Sequence, residues 1–141
     1  MIGLGVAAVV GAASLSGCAK KITDSDIKFV RVDEVRELQQ TAKERPKVML
    51  LIDPRSPRAY NEGHIPAALN ISLATINPDS KRNPAYEGYN NIIIYGDDPA
   101  SAPARAMTKK MMLAGYKHVR MFGGGMRDWA PIYDITTGTN P

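Results

Sequence analysis

The chain contains a single cysteine, Cys18, among its 141 residues, and this scarcity excludes two classes of protein. One cysteine cannot form an intrachain disulfide bond, and it cannot build a cysteine-rich zinc site. The two histidines, His64 and His118, do not have the spacing of zinc ligands, so we expect no metal site. Any chemistry that needs a thiol would have to use Cys18.

The sequence also lacks a block of charge of one sign. Eighteen Lys and Arg residues against fourteen Asp and Glu residues give a net charge of +4, and the two signs are mixed along the chain. This distribution gives no reason to expect a nucleic-acid partner. A hydrophobic fraction of 44% and a charged fraction of 23% are typical of one globular domain, which excludes collagen-like, coiled-coil and low-complexity chains.

The first nineteen residues carry no charge, because every charged residue lies at Lys20 or later. A Gly, Ala and Val-rich run from Ile2 to Ala13, followed by small residues, is typical of a secretory signal and its cleavage region. The residues Leu15-Ser16-Gly17-Cys18 resemble the lipobox of bacterial lipoproteins. This resemblance implies cleavage before Cys18 and a diacylglycerol thioether on its sulfur. A transmembrane anchor is the alternative, since about 20 apolar residues span a bilayer, but the glycines of the run make it a weak span.

The lipobox resemblance also implies where the chain resides. A lipidated Cys18 would hold the mature protein in the bacterial cell envelope, facing the periplasm or the cell exterior. Ala19 stands where such proteins commonly carry the aspartate that retains them at the inner membrane. We therefore expect an outer-membrane anchor facing the periplasm.

Apolar periodicity in the first half of the charged region predicts a helix and then a strand. Val35, Leu38 and Ala42 follow helical spacing from Asp33, and this helix should end before Pro46. The uninterrupted apolar run at 48–52 is typical of a strand that is buried on both faces, as in parallel sheets.

The second half repeats this alternation. Another buried strand is predicted at 91–95, a helix at 102–114 and a short strand at 118–121. A glycine turn at 123–125 leads into an amphipathic stretch that contains Trp129, which we expect to be buried. Alternating strands and helices predict an α/β fold whose parallel sheet is covered on both faces.

Two groups of residues match the motifs of a known family. The first group is Asp53-Pro54-Arg55, Tyr60, Gly63-His64-Ile65-Pro66, Ala68 and Asn70. The second group is the strand Ile92 to Tyr95, Ala114-Gly115-Tyr116, Val119, Gly123-Gly124 and Trp129. Together, from about Phe29 to Tyr133, they resemble the rhodanese pattern.

The rhodanese resemblance implies an α/β fold with a five-stranded parallel sheet and helices on both faces. It divides the chain into a lipoprotein signal peptide at 1–17, a lipid-anchored tether at 18–28, a rhodanese-like domain at 29–133 and a C-terminal tail at 134–141. In catalytic members of the family, a cysteine after the strand equivalent to 92–95 carries sulfur as a persulfide.

No thiol occupies that slot in this chain. Counting forward from the strand places Gly96 there, whereas counting back from Gly115 by the family spacing places Asp98 there. The two counts differ by two residues, so the loop is expected to be longer than in the family. Asp97 and Asp98 should repel an anionic sulfur donor such as thiosulfate, and Arg105 would partly compensate.

The candidate ligand residues each have a structural alternative. Asp53 and Arg55 follow a buried strand, where open α/β sheets place ligands, but they could equally tie the strand end to the turn at 56–60. Asp98 with Pro99, and Ser101, are also candidate helix caps. His64 is expected to brace a loop rather than to catalyse. The candidate ligand-loop residues are Gly96, Asp97, Asp98, Ser101, Arg105, Asp53 and Arg55.

These features favour a lipid-anchored, catalytically inactive rhodanese-like module. We expect it to need no cofactor and to bind an unknown protein or small molecule at the loop 96–105. The alternative is an enzyme, either a sulfurtransferase-like protein that uses a partner's thiol or a carboxylate-based activity with Asp97 or Asp98 as general base. The absent cysteine favours binding over catalysis.

Overall fold

Five parallel strands form one sheet in a computed structural model of the protein, which describes Gly17 and residues 20–141. The order across the sheet is β1-β5-β4-β2-β3, and every neighbouring pair is parallel. The strands are β1 (Phe29–Val30), β2 (Leu50–Asp53), β3 (Leu69–Asn70), β4 (Ile92–Tyr95) and β5 (Val119–Phe122). The expected five-stranded parallel sheet is therefore confirmed.

Helices cover both faces of this sheet, as predicted. They are α1 (Val32–Ala42), α2 (Pro57–Glu62), α3 (Ala102–Leu113) and α4 (Gly125–Trp129), with short 3-10 helices at Asp24–Asp26, Pro46–Val48, Leu73–Thr75 and Pro84–Tyr86. Successive side chains of β2 point to opposite faces: Leu50 and Ile52 join the core under α3, and Leu51 joins the core that holds Trp129. Burial on both faces explains why β2 and β4 are continuously apolar.

The observed boundaries differ from the predicted ones by one or two residues. The strand expected at 48–52 begins at Leu50, because Val48 belongs to the 3-10 helix Pro46–Val48. The strand expected at 118–121 is Val119–Phe122. The turn expected at 56–60 contains helix α2, in which Pro57 occupies the first turn and the Ser56 hydroxyl caps the amide of Ala59.

Several predicted core residues are fully buried. Met107 and Met111 have no exposed surface and pack under α3, which agrees with a role as core filler. Trp129 is also fully buried, and its indole N–H donates to the carbonyl of Asp134 at 2.9 Å.

The ends of the domain are in contact with its body. Ile27 is buried in the core, although it belongs to the segment expected as a tether. In the segment expected as a tail, Thr136 forms an antiparallel bridge with His64, and the amide of Gly138 donates to the carbonyl of Asn61. The predicted lipidation site Cys18 and residues 1–16 lie outside the described residues. In the described part of the chain, no helix is long and apolar enough to cross a membrane.

Candidate functional site

The loop between β4 and α3 lies at the carboxyl end of the sheet. It runs from Gly96 to Ser101. The neighbouring strand β2 ends at the same edge with its last residue, Asp53. Open α/β sheets bind ligands at this edge. The structure therefore places Asp53 and the loop from Gly96 to Ser101 at one edge of the sheet.

Arg55 joins the end of β2 to this loop through a buried ion pair. Its Nε lies 3.0 Å from Oδ1 of Asp53, and its Nη2 lies 2.8 Å from Oδ2 of the same carboxylate. Its Nη1 donates to Oδ1 of Asp97 at 2.8 Å, and Nη2 also donates to the carbonyl of Gly63 at 2.7 Å. Asp53 is fully buried, and the side chain of Arg55 is only 8% exposed.

These contacts hold the Arg55 guanidinium within the protein. Burial opposes the charge on Arg55, but hydrogen bonds to Asp53 and Asp97 and the charge of Asp53 raise its pKa above the usual value. The guanidinium is thus held by partners inside the protein instead of being presented to a ligand oxyanion. Arg55 joins the end of β2 to the carbonyl of Gly63, which lies beyond the expected turn at 56–60, and to Asp97 in the loop after β4.

Tyr95, the last residue of β4, lies next to the ion pair of Asp53 and Arg55. Its hydroxyl accepts a hydrogen bond from the amide of Ile65 at 3.0 Å, and its ring is fully buried. Burial, together with the negative charge of Asp53, raises the pKa of Tyr95. The phenol therefore stays neutral and connects the loop strand to the Gly63–Pro66 segment.

Gly96, the first loop residue, occupies a position with no room for a side chain. A Cβ at this position would lie 1.9 Å from Oγ and 2.4 Å from Cβ of Ser101. The far side is closed by α4: the amide of Met126 donates to the carbonyl of Gly96 at 2.9 Å, and a Cβ on Gly125 would lie 2.3 Å from that same oxygen. A thiol at position 96 would therefore require the loop to move.

The remaining loop residues form a turn before α3. Oδ1 of Asp98 accepts from the amide of Ala100 at 2.7 Å, and the amide of Ser101 donates to the carbonyl of Asp98 at 3.0 Å. The alternative that Asp98 and Pro99 cap the helix is therefore wrong, because α3 begins only at Ala102. Ser101 occupies the N-cap position, but its side chain makes no capping hydrogen bond.

Contrary to expectation, Arg105 does not pair with the acidic side chains of Asp97 and Asp98. Its Nε donates to the carbonyl of Pro99 at 2.9 Å, and its Nη1 contacts Oδ2 of Asp24 at 3.2 Å. Lys109 binds the other oxygen of Asp24, and its hydrogen bond is the main reason why the pKa of Asp24 is lowered. Arg55, rather than Arg105, is the cation that pairs with Asp97.

His64 has a structural role, as expected. It is fully buried and its ring stacks on that of Tyr60, with centroids 3.7 Å apart. Its Nδ1 lies 2.8 Å from the carbonyl of Tyr60, and its Nε2 lies 2.9 Å from the carbonyl of Asn140. Over residues 20–141, no three His, Asp or Glu side chains come together as metal ligands.

The exposed part of the site consists of acidic side chains and a neighbouring cavity. The Asp97 side chain is 69% exposed although Arg55 binds one of its oxygens. A cavity of about 460 Å³ lies beside the loop and is lined in part by Pro99, Arg105 and Phe29. Sequence reasoning missed the contact between Arg55 and Asp97 and the packing of α4 on the loop. The glycines at 123–125 were the only signal of that packing.

Comparisons with known proteins agree with this geometry. The family model of the rhodanese-like domain matches residues 32–131. No curated protein matches the chain.

Similar solved structures have the same fold. The BH2092 protein from Bacillus halodurans is 25% identical, with a TM-score of 0.64 over 82% of this chain and 80% of that one. A Rhodopseudomonas palustris protein of unknown function, described as a possible tyrosine phosphatase, is 19% identical, with a TM-score of 0.62 over 77% and 83% of the two chains. A human single-domain sulfurtransferase is 21% identical, with a TM-score of 0.58 over 75% and 97%.

Proposed function

The chain belongs to the rhodanese-like domain family, and on that premise we propose that it is a non-catalytic binding module held on a bacterial membrane by a lipid at Cys18. The fold alone does not determine the activity, because catalysis by sulfur transfer depends on a nucleophilic thiol at the site. The proposal therefore rests on the residues of the loop after β4.

The observation that carries the proposal is that this loop has no thiol and that its first residue, Gly96, has no space for a side chain. The only cysteine, Cys18, precedes the described domain, and Gly96 follows β4. The Ser101 side chain fills the volume that a side chain at position 96 would need. A persulfide cannot form on a chain segment that lacks sulfur.

The electrostatics of the loop also support binding over sulfur transfer. Asp97 and Asp98 place two carboxylates at the site, and the only arginine that pairs with Asp97 is already held by Asp53. An anionic donor would meet a negative field, whereas a ligand with cationic groups would be attracted. We therefore propose that the loop 96–105, through the carboxylates of Asp97 and Asp98, binds a protein or small molecule that carries positive charge.

The membrane anchor rests on the sequence. The charge-free first nineteen residues and the lipobox resemblance at Leu15 to Cys18 support a cleaved, acylated amino terminus. One acyl chain binds membranes only marginally, whereas two or more anchor a protein stably. Diacylglycerol on Cys18 would thus hold the domain stably on the membrane. Ala19, in place of the aspartate that retains such proteins at the inner membrane, favours the outer membrane.

Mass spectrometry of the membrane fraction tests the anchor. We expect the mature chain to begin at acylated Cys18, and we expect Cys18→Ala to leave an uncleaved precursor in which no lipid is added. An intact Met1 terminus in the mature wild-type protein would contradict the anchor.

Affinity capture with a matched variant tests the binding role. The anchored wild-type protein is compared with a protein in which Asp97 and Asp98 are replaced by Asn, which removes two charges and keeps the side-chain size. The bound partner should be lost with the variant and should dissociate at high salt, because exposed charges are screened. Equal capture by both proteins would contradict a role for this loop. Transfer of sulfur to a thiol of the captured partner would instead favour the alternative enzyme.

A further inference from the structure

A second cavity lies at the opposite end of the sheet from the loop 96–105. It has a volume of about 420 Å³ and sits where β1, β4 and β5 begin. Because β4 has four residues that each rise about 3.3 Å, this amino end lies about 13 Å from the loop along that strand. The lining residues include Lys20, Ile22, Lys28, Lys117, His118 and Arg120.

The charge of this cavity is positive. Lys20, Lys28 and Lys117 are exposed, and none of them forms an ion pair with a carboxylate of the described residues. The charge of Lys20 acts only weakly on Asp26. Hydrogen bonds from Thr23 are the main reason why the pKa of Asp26 is lowered, and the charge of Lys20 is a minor cause.

Arg120 adds a fourth cation, but it is partly neutralised. Its Nη1 lies 2.6 Å from Oε1 of Glu34, and its Nη2 donates to Oδ1 of Asn91 at 2.8 Å. The lining contains no Asp or Glu residue. The cavity therefore combines three free ammonium groups with a braced guanidinium, a set of donors suited to phosphate oxygens.

The path of the chain places this cavity close to the proposed lipid. Lys20 forms part of the cavity wall, and Cys18 precedes it by two residues. Two residues of extended chain reach at most about 7 Å. A lipid on Cys18 would therefore bring the amino end of the sheet to the membrane surface, with loop 96–105 facing away from it.

We propose that this cavity binds the phosphate group of an anionic phospholipid in the membrane that carries the chain. Basic residues next to a membrane surface are attracted by anionic lipids, and each contributes about fivefold to the affinity. The inference rests on the proposed anchor only for bringing the headgroups within reach. Binding of headgroups here would fix the orientation of the domain and keep its loop accessible from the periplasm.

Hydrogen exchange of the full chain in vesicles tests this assignment. The protein is placed in phosphatidylcholine vesicles, in vesicles that also contain phosphatidylglycerol, and in phosphatidylcholine vesicles with inorganic phosphate at a matched phosphate concentration. We expect phosphatidylglycerol to slow exchange of the amides at 115–121. The variant Lys28→Gln/Lys117→Gln should lower the affinity for the anionic lipid about 25-fold, since two lysines are removed, and the protection should weaken accordingly.

The control variant Lys43→Gln/Lys81→Gln removes the same charge from two exposed lysines outside the cavity and should keep the protection. Equal exchange in both kinds of vesicle, or equal losses in both variants, would overturn the proposal. Equal protection by inorganic phosphate would also overturn it, because the site would then be one for free phosphate. Mass spectrometry of the same samples shows separately whether Cys18 carries a lipid. A failure of the proposed anchor is therefore distinguishable from a failure of the proposed phosphate site in the cavity.

Discussion

Replacement of Arg55 by methionine should destabilise the protein strongly. The change removes the guanidinium donors to the buried Asp53 carboxylate and the Gly63 carbonyl. The Asp53 charge then keeps only neutral partners, the amide of residue 55 at 3.0 Å and the Tyr95 hydroxyl. Removing one partner of a buried ion pair costs about 3–5 kcal/mol, because the remaining charge has no compensation. Domains unfold at a cost of only about 5–15 kcal/mol, so this loss should lower the melting temperature markedly.

The comparison with two other variants assigns the effect to the buried pair. Asp97→Asn removes only the exposed arm of the cluster and should cost less than about 1 kcal/mol. The double variant Asp53→Asn/Arg55→Met removes both buried charges and should recover part of the loss, because no unpaired charge then stays in the core.

Urea denaturation provides the measurement. Trp129 is the only tryptophan and is fully buried, so its fluorescence reports the core, and far-ultraviolet circular dichroism reports the helices. The midpoint should fall while the dependence on urea concentration stays unchanged, as expected for a change in stability alone. A loss below about 1 kcal/mol for Arg55→Met, or equal losses for Arg55→Met and Asp97→Asn, would refute the role given to this ion pair.

Three further predictions follow from the core and the loop. Trp129→Ala should lower the free energy of unfolding by about 3–5 kcal/mol in urea titrations, and a loss below about 1 kcal/mol would contradict its complete burial. The pKa of Tyr95 is raised in the folded protein, so the unfolded chain loses this proton first as the pH rises above the ordinary pKa of about 10. The free energy of unfolding should therefore fall above that pH, by up to about 1.4 kcal/mol per pH unit. Tyr95→Phe should remove this part of the alkaline loss in pH-dependent unfolding, and an unchanged slope would exclude Tyr95 as its source. Gly96→Cys should perturb the loop because of Ser101. Only Gly96→Cys/Ser101→Gly should add, beyond Cys18, a thiol that reacts with a thiol reagent in the folded protein. Ready reaction of the thiol at position 96 in the single variant would contradict the packing.

The central strands could be predicted because their burial leaves a clear pattern in the sequence. β2 and β4 are covered on both faces, so each is an uninterrupted apolar run. The two-residue strands β1 and β3 have no such pattern, because two residues are too few to show a period. Their positions follow from pairing with β5 and β2 and could not be derived locally.

The site was predictable only where its contacts are local in sequence. The bond between Asp53 and Arg55 spans two residues and was among the expected alternatives. Asp97 lies 42 residues from Arg55, and no spacing rule connects them. The exclusion of a side chain at Gly96 depends on the later approach of Ser101 and α4, which only the folded structure reveals.

An assay of sulfur transfer from thiosulfate to cyanide by the purified wild-type protein, with no added partner, tests the central claim most directly. We predict no transfer above a blank and no mass increase from a persulfide on the protein, because the loop after β4 contains no sulfur and its carboxylates repel the anionic donor. Robust transfer by the wild-type chain alone would contradict the account of this loop as a non-catalytic binding site.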